Sequence, residues 1–156
     1  MTDIGNVSGL RVLRVDFELN NNARKAELIK FLPPDWSEFI FFDTDIEVLD
    51  DLSLGLEKAL FHGFALAPAN GYLFEQYGAF DKVMLLEGIE PKGQLQYNSG
   101  LFFFSTAYPG VENILRLWLD LCRKYSSRSV CWKGDQPYLN LVFEISKFAP
   151  SCLSRN

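Results

Sequence analysis

Histidine is almost missing from this sequence: His62 stands alone among 156 residues. Cysteine is scarce as well, with Cys122, Cys131 and Cys152 an odd number at wide spacing. No zinc-type ligand set can be assembled from them, and there is no disulfide framework, which points to a reducing compartment. Basic charge is also in short supply. Fifteen Lys and Arg face twenty Asp and Glu for a net charge of −5, with no basic block or stripe. The electrostatic footprint of a nucleic-acid binder is therefore lacking. An acidic chain that holds a polyanion needs a metal ion or a few well-placed cations. No apolar run approaches the roughly 20 residues of a membrane-spanning helix. The opening MTDIGNVSGL has neither the basic start nor the apolar centre of a signal peptide. These absences predict a cytoplasmic protein with no membrane span and no nucleic-acid partner. Linkers, internal repeats and low-complexity segments are absent too, so residues 1–156 read as a single domain with a substantial core.

What is present alternates between strand and helix signals. LRVLRVDFE (10–18) has a short alternating pattern and predicts a strand. NNARKAELIKFL follows as a helix, with Asn22 as its N-cap and Pro33-Pro34 as its stop. SEFIFFD is apolar, short and rich in β-formers, which predicts a strand covered on both faces. DLSLGLEKALF reads as a helix weakened by Gly55, and GFALAPA as a buried strand closed by Pro68. A short helix is expected near 77–86. QYNSGLFFFS reads as a strand interrupted by Gly100. In the segment from Tyr108 to Tyr125, Val111, Ile114, Leu115, Trp118, Leu119 and Cys122 form one apolar helical face. GDQPYLNLVFEIS reads as a last helix, opened by Asp135 with Pro137 in its first turn. This order predicts an α/β layered domain with a mainly parallel central sheet flanked by helices.

The densest chemistry lies in FIFFDTDIEVLDD (39–51), where four bulky apolar residues give way to Asp43, Asp45, Glu47, Asp50 and Asp51. In open α/β sheets the ligand crevice lies beyond the carboxyl ends of the strands. Asp43 is the first residue past such an end, and in extended chain Asp43 and Asp45 point the same way. Two close carboxylates repel unless a proton or cation lies between them. Magnesium or manganese suits oxygen ligands and leaves positions free for diphosphate oxygens. Such an ion would neutralise a phosphate leaving group. The competing reading is a solvated turn. Asp50 and Asp51 fit the N-terminal turn of the following helix, Glu47 fits an exposed site, and His62 fits a surface or structural role.

FIFFDTDIEVLDDL resembles the metal-binding DxD segment of GT-A glycosyltransferases, in particular the group with glycogenin and bacterial lipopolysaccharide galactosyltransferases. ARKAELIKFLP resembles the family's helix before the DxD strand, YNSGLFFFS its N-[AS]-G strand, and GDQPYLN its D-Q segment. The similarity spans about residues 22 to 145, with the segments in the family's order. It implies a GT-A (Rossmann-like) nucleotide-diphospho-sugar transferase fold, minimal or N-terminally shortened. It also implies residue roles. Asp45 would bind Mn2+ or Mg2+, and Asp43 would contact the ribose, the metal, or both. Arg24 and Lys25 would approach the donor sugar or diphosphate. Asn98, Ser99 and Gly100 would line the sugar or acceptor pocket, and Asp135 and Gln136 would sit near the reacting anomeric carbon.

Each of these residues has a plainer role open to it. Arg24 and Lys25 fit a solvated helix face, Asn98 fits a backbone-satisfying amide, and Asp135 fits a helix N-cap. Tyr97, Phe102, Phe103 and Phe104 read as core rather than as a sugar platform. The chain departs from the family in two places. About twenty residues precede the matched region where the family has a nucleotide-binding strand and helix, and no histidine follows the D-Q segment. The expected function is a metal-dependent, DxD-type hexosyltransferase. It would move a sugar from a nucleoside diphosphate donor, expected to be a UDP-sugar, to a hydroxyl acceptor on a glycan, lipid or protein, and the resemblance implies retention at the anomeric carbon. One alternative is a non-catalytic nucleotide-sugar or carbohydrate-binding module. Another is a haloacid dehalogenase-type phosphatase, whose first Asp is a nucleophile but whose motif continues differently from Ile46-Glu47.

Overall fold

A computed structural model of the chain describes residues 2–7, 10–19, 21–73, 80–93, 95–126 and 134–153. Its central sheet has four strands: β3 (Glu38–Phe42), β4 (Phe64–Leu73), β5 (Leu95–Ser105) and β6 (Ser151–Cys152), in the order β3-β5-β4-β6. β1 (Thr2–Val7) and β2 (Leu10–Arg14) pair separately as an antiparallel hairpin. The architecture is α/β, as expected, but the sheet is mixed rather than mainly parallel. β5 runs antiparallel to both β3 and β4, and only the two-residue β6 lies parallel to a neighbour. A single reversed strand in the middle accounts for the difference. β3, β4 and β6 share one direction, yet β5 separates β3 from β4, so their would-be parallel pairing never forms. An apolar run carries no sign of its direction, and the sequence pattern could not supply it.

Other expectations move with the packing. β3 is an edge strand with exposed ends, yet it is covered on both faces as expected, with Phe39 and Phe41 packed on the larger apolar cluster and Ile40 on the smaller. β4 continues through Pro68, where the register with β5 shifts, instead of closing there. β2 stops at Arg14, and the short helix α2 starts only at Asp81; residues 77–79 of the expected helix lie outside the described residues. The segment before β3 is a 3-10 helix, η1 (Asn21–Phe31), rather than an α-helix. Its apolar positions Ala23, Ala26 and Ile29 recur every third residue, which suits three residues per turn, and all pack into the core, as does Leu32 just beyond its end. The chain leaves this helix just before Pro33, where the ring disfavours helical backbone in the residue ahead. The side chain of Asn22, the expected N-cap, is outside the described residues.

η1 is fastened by a residue that the sequence did not single out. Glu27 is fully buried and accepts hydrogen bonds from the Leu19 amide (2.6 Å), the Glu18 amide (3.1 Å) and Lys30 Nζ (2.8 Å). Burial alone would push its carboxyl up, but these donors outweigh it and hold the group below the usual range.

The sheet carries apolar clusters on both faces. Phe102 and Phe104 of β5 point to the larger one, with η1, α3 (Val111–Ser126) and α4 (Gln136–Ser146), while Phe103 points to α1 (Ser53–His62). The predicted face of α3 is buried throughout, and burial pushes its Cys122 thiol up, leaving a packing residue rather than a nucleophile. Gly55 is where α1 meets the sheet: a Cβ there would overlap the Phe103 ring. Helix propensity alone predicts that Gly55→Ala adds about 1 kcal/mol of stability. The close approach predicts a loss of about 1–3 kcal/mol from overpacking. Urea denaturation decides between them, and a more stable alanine variant would contradict this packing.

Candidate functional site

The carboxyl end of β3, the middle of β5, the start of α4 and one residue of η1 meet around a polar cavity of about 450 Å³. β3 delivers Asp43, whose amide still donates to the Gly100 carbonyl at 2.8 Å. The chain then turns through Thr44 and Asp45, closed by the Ile46 amide on the Asp43 carbonyl (3.1 Å). β5 contributes Asn98, Ser99 and Gly100, and α4 contributes Asp135 and Gln136, with Gly134 before them. Glycine at position 100 leaves room for the Asn98 and Asp43 side chains as they stand. A Cβ there would lie 2.8 Å from Asn98 Oδ1 and 3.2 Å from Asp43 Oδ2. Asn98 Oδ1 already accepts the Gly100 amide at 2.6 Å, so its backbone-satisfying role and its place on the cavity wall coexist.

Lys25 brings the charge that ties these elements together. Its ammonium lies 2.9 and 3.0 Å from the two Asp43 carboxylate oxygens, 3.3 Å from the Ser99 carbonyl and 3.8 Å from Asp135 Oδ1, and over the Phe41 ring. Arg24 does not join it. Its guanidinium turns back to the Leu19 carbonyl (3.2 Å) and lies over Phe17. Threefold winding separates the two neighbours by a third of a turn, so only one can face the cavity.

Asp135 is buried at 4% exposure and makes no side-chain cap. Its carbonyl does the structural work, accepting Trp118 Nε1 (3.1 Å) and the Leu139 amide (3.0 Å). Asp135 lines the cavity, and its buried Oδ2 has no hydrogen-bond partner among the described residues. Burial pushes the Asp135 carboxyl up to about 6, against the opposing pull of Lys25 and a hydrogen bond from Ser99, with Asp43 adding to the rise. Gln136 is docked rather than free: its Oε1 accepts the Ser99 amide at 3.1 Å. Asn140, one turn further along α4, brackets Tyr97 by accepting its amide (2.6 Å) and donating to its carbonyl (2.9 Å). The side chain thus mimics a neighbouring strand and fixes α4 against β5. Asn140 was legible only as part of GDQPYLN, with no signal of this bracing role.

Asp45 is exposed at the mouth of the cavity and forms no ion pair among the described residues. Asp50 and Asp51 lie apart from the site: Asp51 accepts the Ser53 amide (2.9 Å) and hydroxyl (2.6 Å) at the start of α1. Glu47 is exposed, and His62 is exposed at the end of α1. Among the described residues no group of three or more His, Cys, Asp or Glu converges as a metal cage. The oxygen donors of Asp43 and Asp45 fit a hard ion of the magnesium or manganese type in its commonest protein setting, one or two carboxylates with water and substrate phosphate. Among the described residues no helix is long and apolar enough to cross a membrane.

The Asp135 environment has a thermodynamic consequence. Its folded-state pKa of about 6 exceeds the ordinary 3.8, so the folded protein holds this proton more tightly than the unfolded chain. Stability is then lost as pH rises from about 4 through 6, by an amount of order 2–3 kcal/mol. Thermal melts of wild type and Asp135→Asn should separate in the variant's favour over that window, and a gap independent of pH would contradict the assignment. No family model and no curated protein matches the chain.

Proposed function

We propose that the polar cavity binds a nucleoside diphosphate sugar, UDP-linked, and that the protein transfers the sugar to a hydroxyl acceptor as a DxD-type glycosyltransferase of GT-A character. One observation carries the reading. Side chains from the four sequence segments that resemble the family, far apart along the chain, line the same cavity: Lys25, Asp43 with Asp45, Asn98 with Ser99, and Asp135 with Gln136. The resemblance rests on sequence order alone, and their convergence in space is an independent support.

In this reading Asp43 and Asp45 hold a divalent ion, which would offset the charge of the diphosphate as the sugar leaves. Asn98 and Asp135, both on the cavity wall, accept and orient sugar hydroxyls. Gln136 is held by the Ser99 amide and presents its remaining amide group to the ligand. Lys25 limits the repulsion among the carboxylates and gives the diphosphate a cation. A second reading, a nucleotide-sugar binding module without transfer, has one observation in its favour: Lys25 already neutralises Asp43 where an ion would be wanted.

Calorimetric titration of UDP-sugar with manganese tests the proposal. Asp45→Asn removes a carboxylate with no ion-pair partner among the described residues and should weaken metal-dependent binding about 10-fold or more, the loss expected for one charge-assisted contact. Unchanged binding in the variant, or binding indifferent to chelation, would contradict the metal site. Tight metal-dependent binding with no transfer to any acceptor in a broad panel would establish the module instead.

A further inference from the structure

Asp43 and Asp45 meet the polar cavity in different states. Asp45 is exposed at its mouth and forms no ion pair among the described residues. Asp43 is held on both oxygens by the Lys25 ammonium, at 2.9 Å from Oδ1 and 3.0 Å from Oδ2. This is not a loose surface pair. The Lys25 side chain is 17% exposed, its ammonium also donates to the Ser99 carbonyl at 3.3 Å, and it lies 5.2 Å from the centre of the Phe41 ring. Residues of β3 and β5, with Asp135 at the start of α4, thus surround one cation from η1.

Two cations cannot share one carboxylate at full strength, because like charges close together in partly dry surroundings repel. With Lys25 in place, a divalent ion is left with Asp45. One exposed carboxylate with water is a weak site for a hard ion that gives up its hydration reluctantly. A diphosphate changes the balance. Its oxygens supply the negative charge that lets both cations stay, and Asp135 Oδ1, 3.8 Å from the ammonium, offers Lys25 a second carboxylate once Asp43 is released.

We propose that Lys25 is a tethered competitor for the metal position: its ammonium closes Asp43 to a divalent ion in the ligand-free protein and yields it when a nucleoside diphosphate enters. This role rests on the donor-binding reading above and sets an order on it. Lys25 makes the affinity for the ion conditional on the diphosphate, so each strengthens the binding of the other by the same factor. The ion pair at Asp43 is then the resting state of a metal site and not a substitute for one.

Manganese binding to the whole chain, followed by the electron paramagnetic resonance signal of the free ion, tests this without any transfer reaction. Lys25→Gln removes the charge and should bind manganese alone about 10-fold or more tighter than the wild type, the gain expected when one charge-assisted contact no longer competes. Arg24→Gln changes the net charge equally, but its guanidinium is turned to the Leu19 carbonyl, so manganese affinity should stay at the wild-type value. Adding UDP should tighten manganese binding more in the wild type than in Lys25→Gln. Lys25→Met keeps an unbranched stem beside Phe41 and should behave like the glutamine variant, with far-UV circular dichroism checking the fold of both. Manganese affinity unchanged or weakened in the two Lys25 variants, or raised equally in Arg24→Gln, would overturn the proposal. UDP that tightens manganese binding by one factor with and without Lys25 would overturn it and leave the donor reading intact. Tighter manganese binding in the Lys25 variants, with no effect of UDP on any of the proteins, would support the competition at Asp43 and contradict the donor reading.

Discussion

The Lys25 ammonium is the constraint on which the site depends. Asp43 and Asp135 reach the same cavity from β3 and from the start of α4, and two carboxylates near one another in partly dry surroundings cannot both ionise unaided. A cation from η1 lies between them, within 3.0 Å of Asp43 and 3.8 Å of Asp135. At an effective dielectric near 20, an attraction across about 4 Å is worth about 4 kcal/mol. The carboxyl of Asp135 is nevertheless pushed up to about 6, so for this buried group desolvation outweighs the attraction.

The rest of the fold serves to keep that arrangement in place. β5 is central in the sheet and in the site: its backbone receives Asp43 on one side, while Tyr97 and Ser99 receive Asn140 and Gln136 of α4. Lys25 owes its position to η1, whose threefold face packs on α3 and whose Glu27 is tied to the turn at Glu18 and Leu19. Gly100 and Gly55 mark the two close approaches, one where β5 meets the carboxylates and one where α1 meets Phe103. Among the described residues β3 and the two-residue β6 form the two edges of the sheet.

Much of this was readable before any coordinates. Periodicity located α3 with its apolar face, and the apolar runs located β3, β4 and β5, because burial on a helix or in a sheet leaves a local pattern. The composition of the site was readable too, since acidic and amide residues clustered at strand ends have few structural uses. What escaped was non-local. Strand direction depends on which strand inserts between which, so the reversal of β5 left no mark. The choice of Lys25 over Arg24 turned on which side of η1 packs into the core, since adjacent residues lie about a third of a turn apart. Asp135 looked like a cap because Asp before a helix usually is one; its backbone is already in the helical region, its side chain makes no cap hydrogen bond, and the residue lines the cavity instead.

The sharpest measurement compares neighbours. UDP-sugar binding, measured with manganese for Lys25→Ala and Arg24→Ala, separates the cation inside the cavity from the one turned away from it. The account predicts that the Lys25 variant loses binding by about 10-fold or more while the Arg24 variant keeps wild-type affinity. Loss on changing Arg24 with Lys25 dispensable would contradict it.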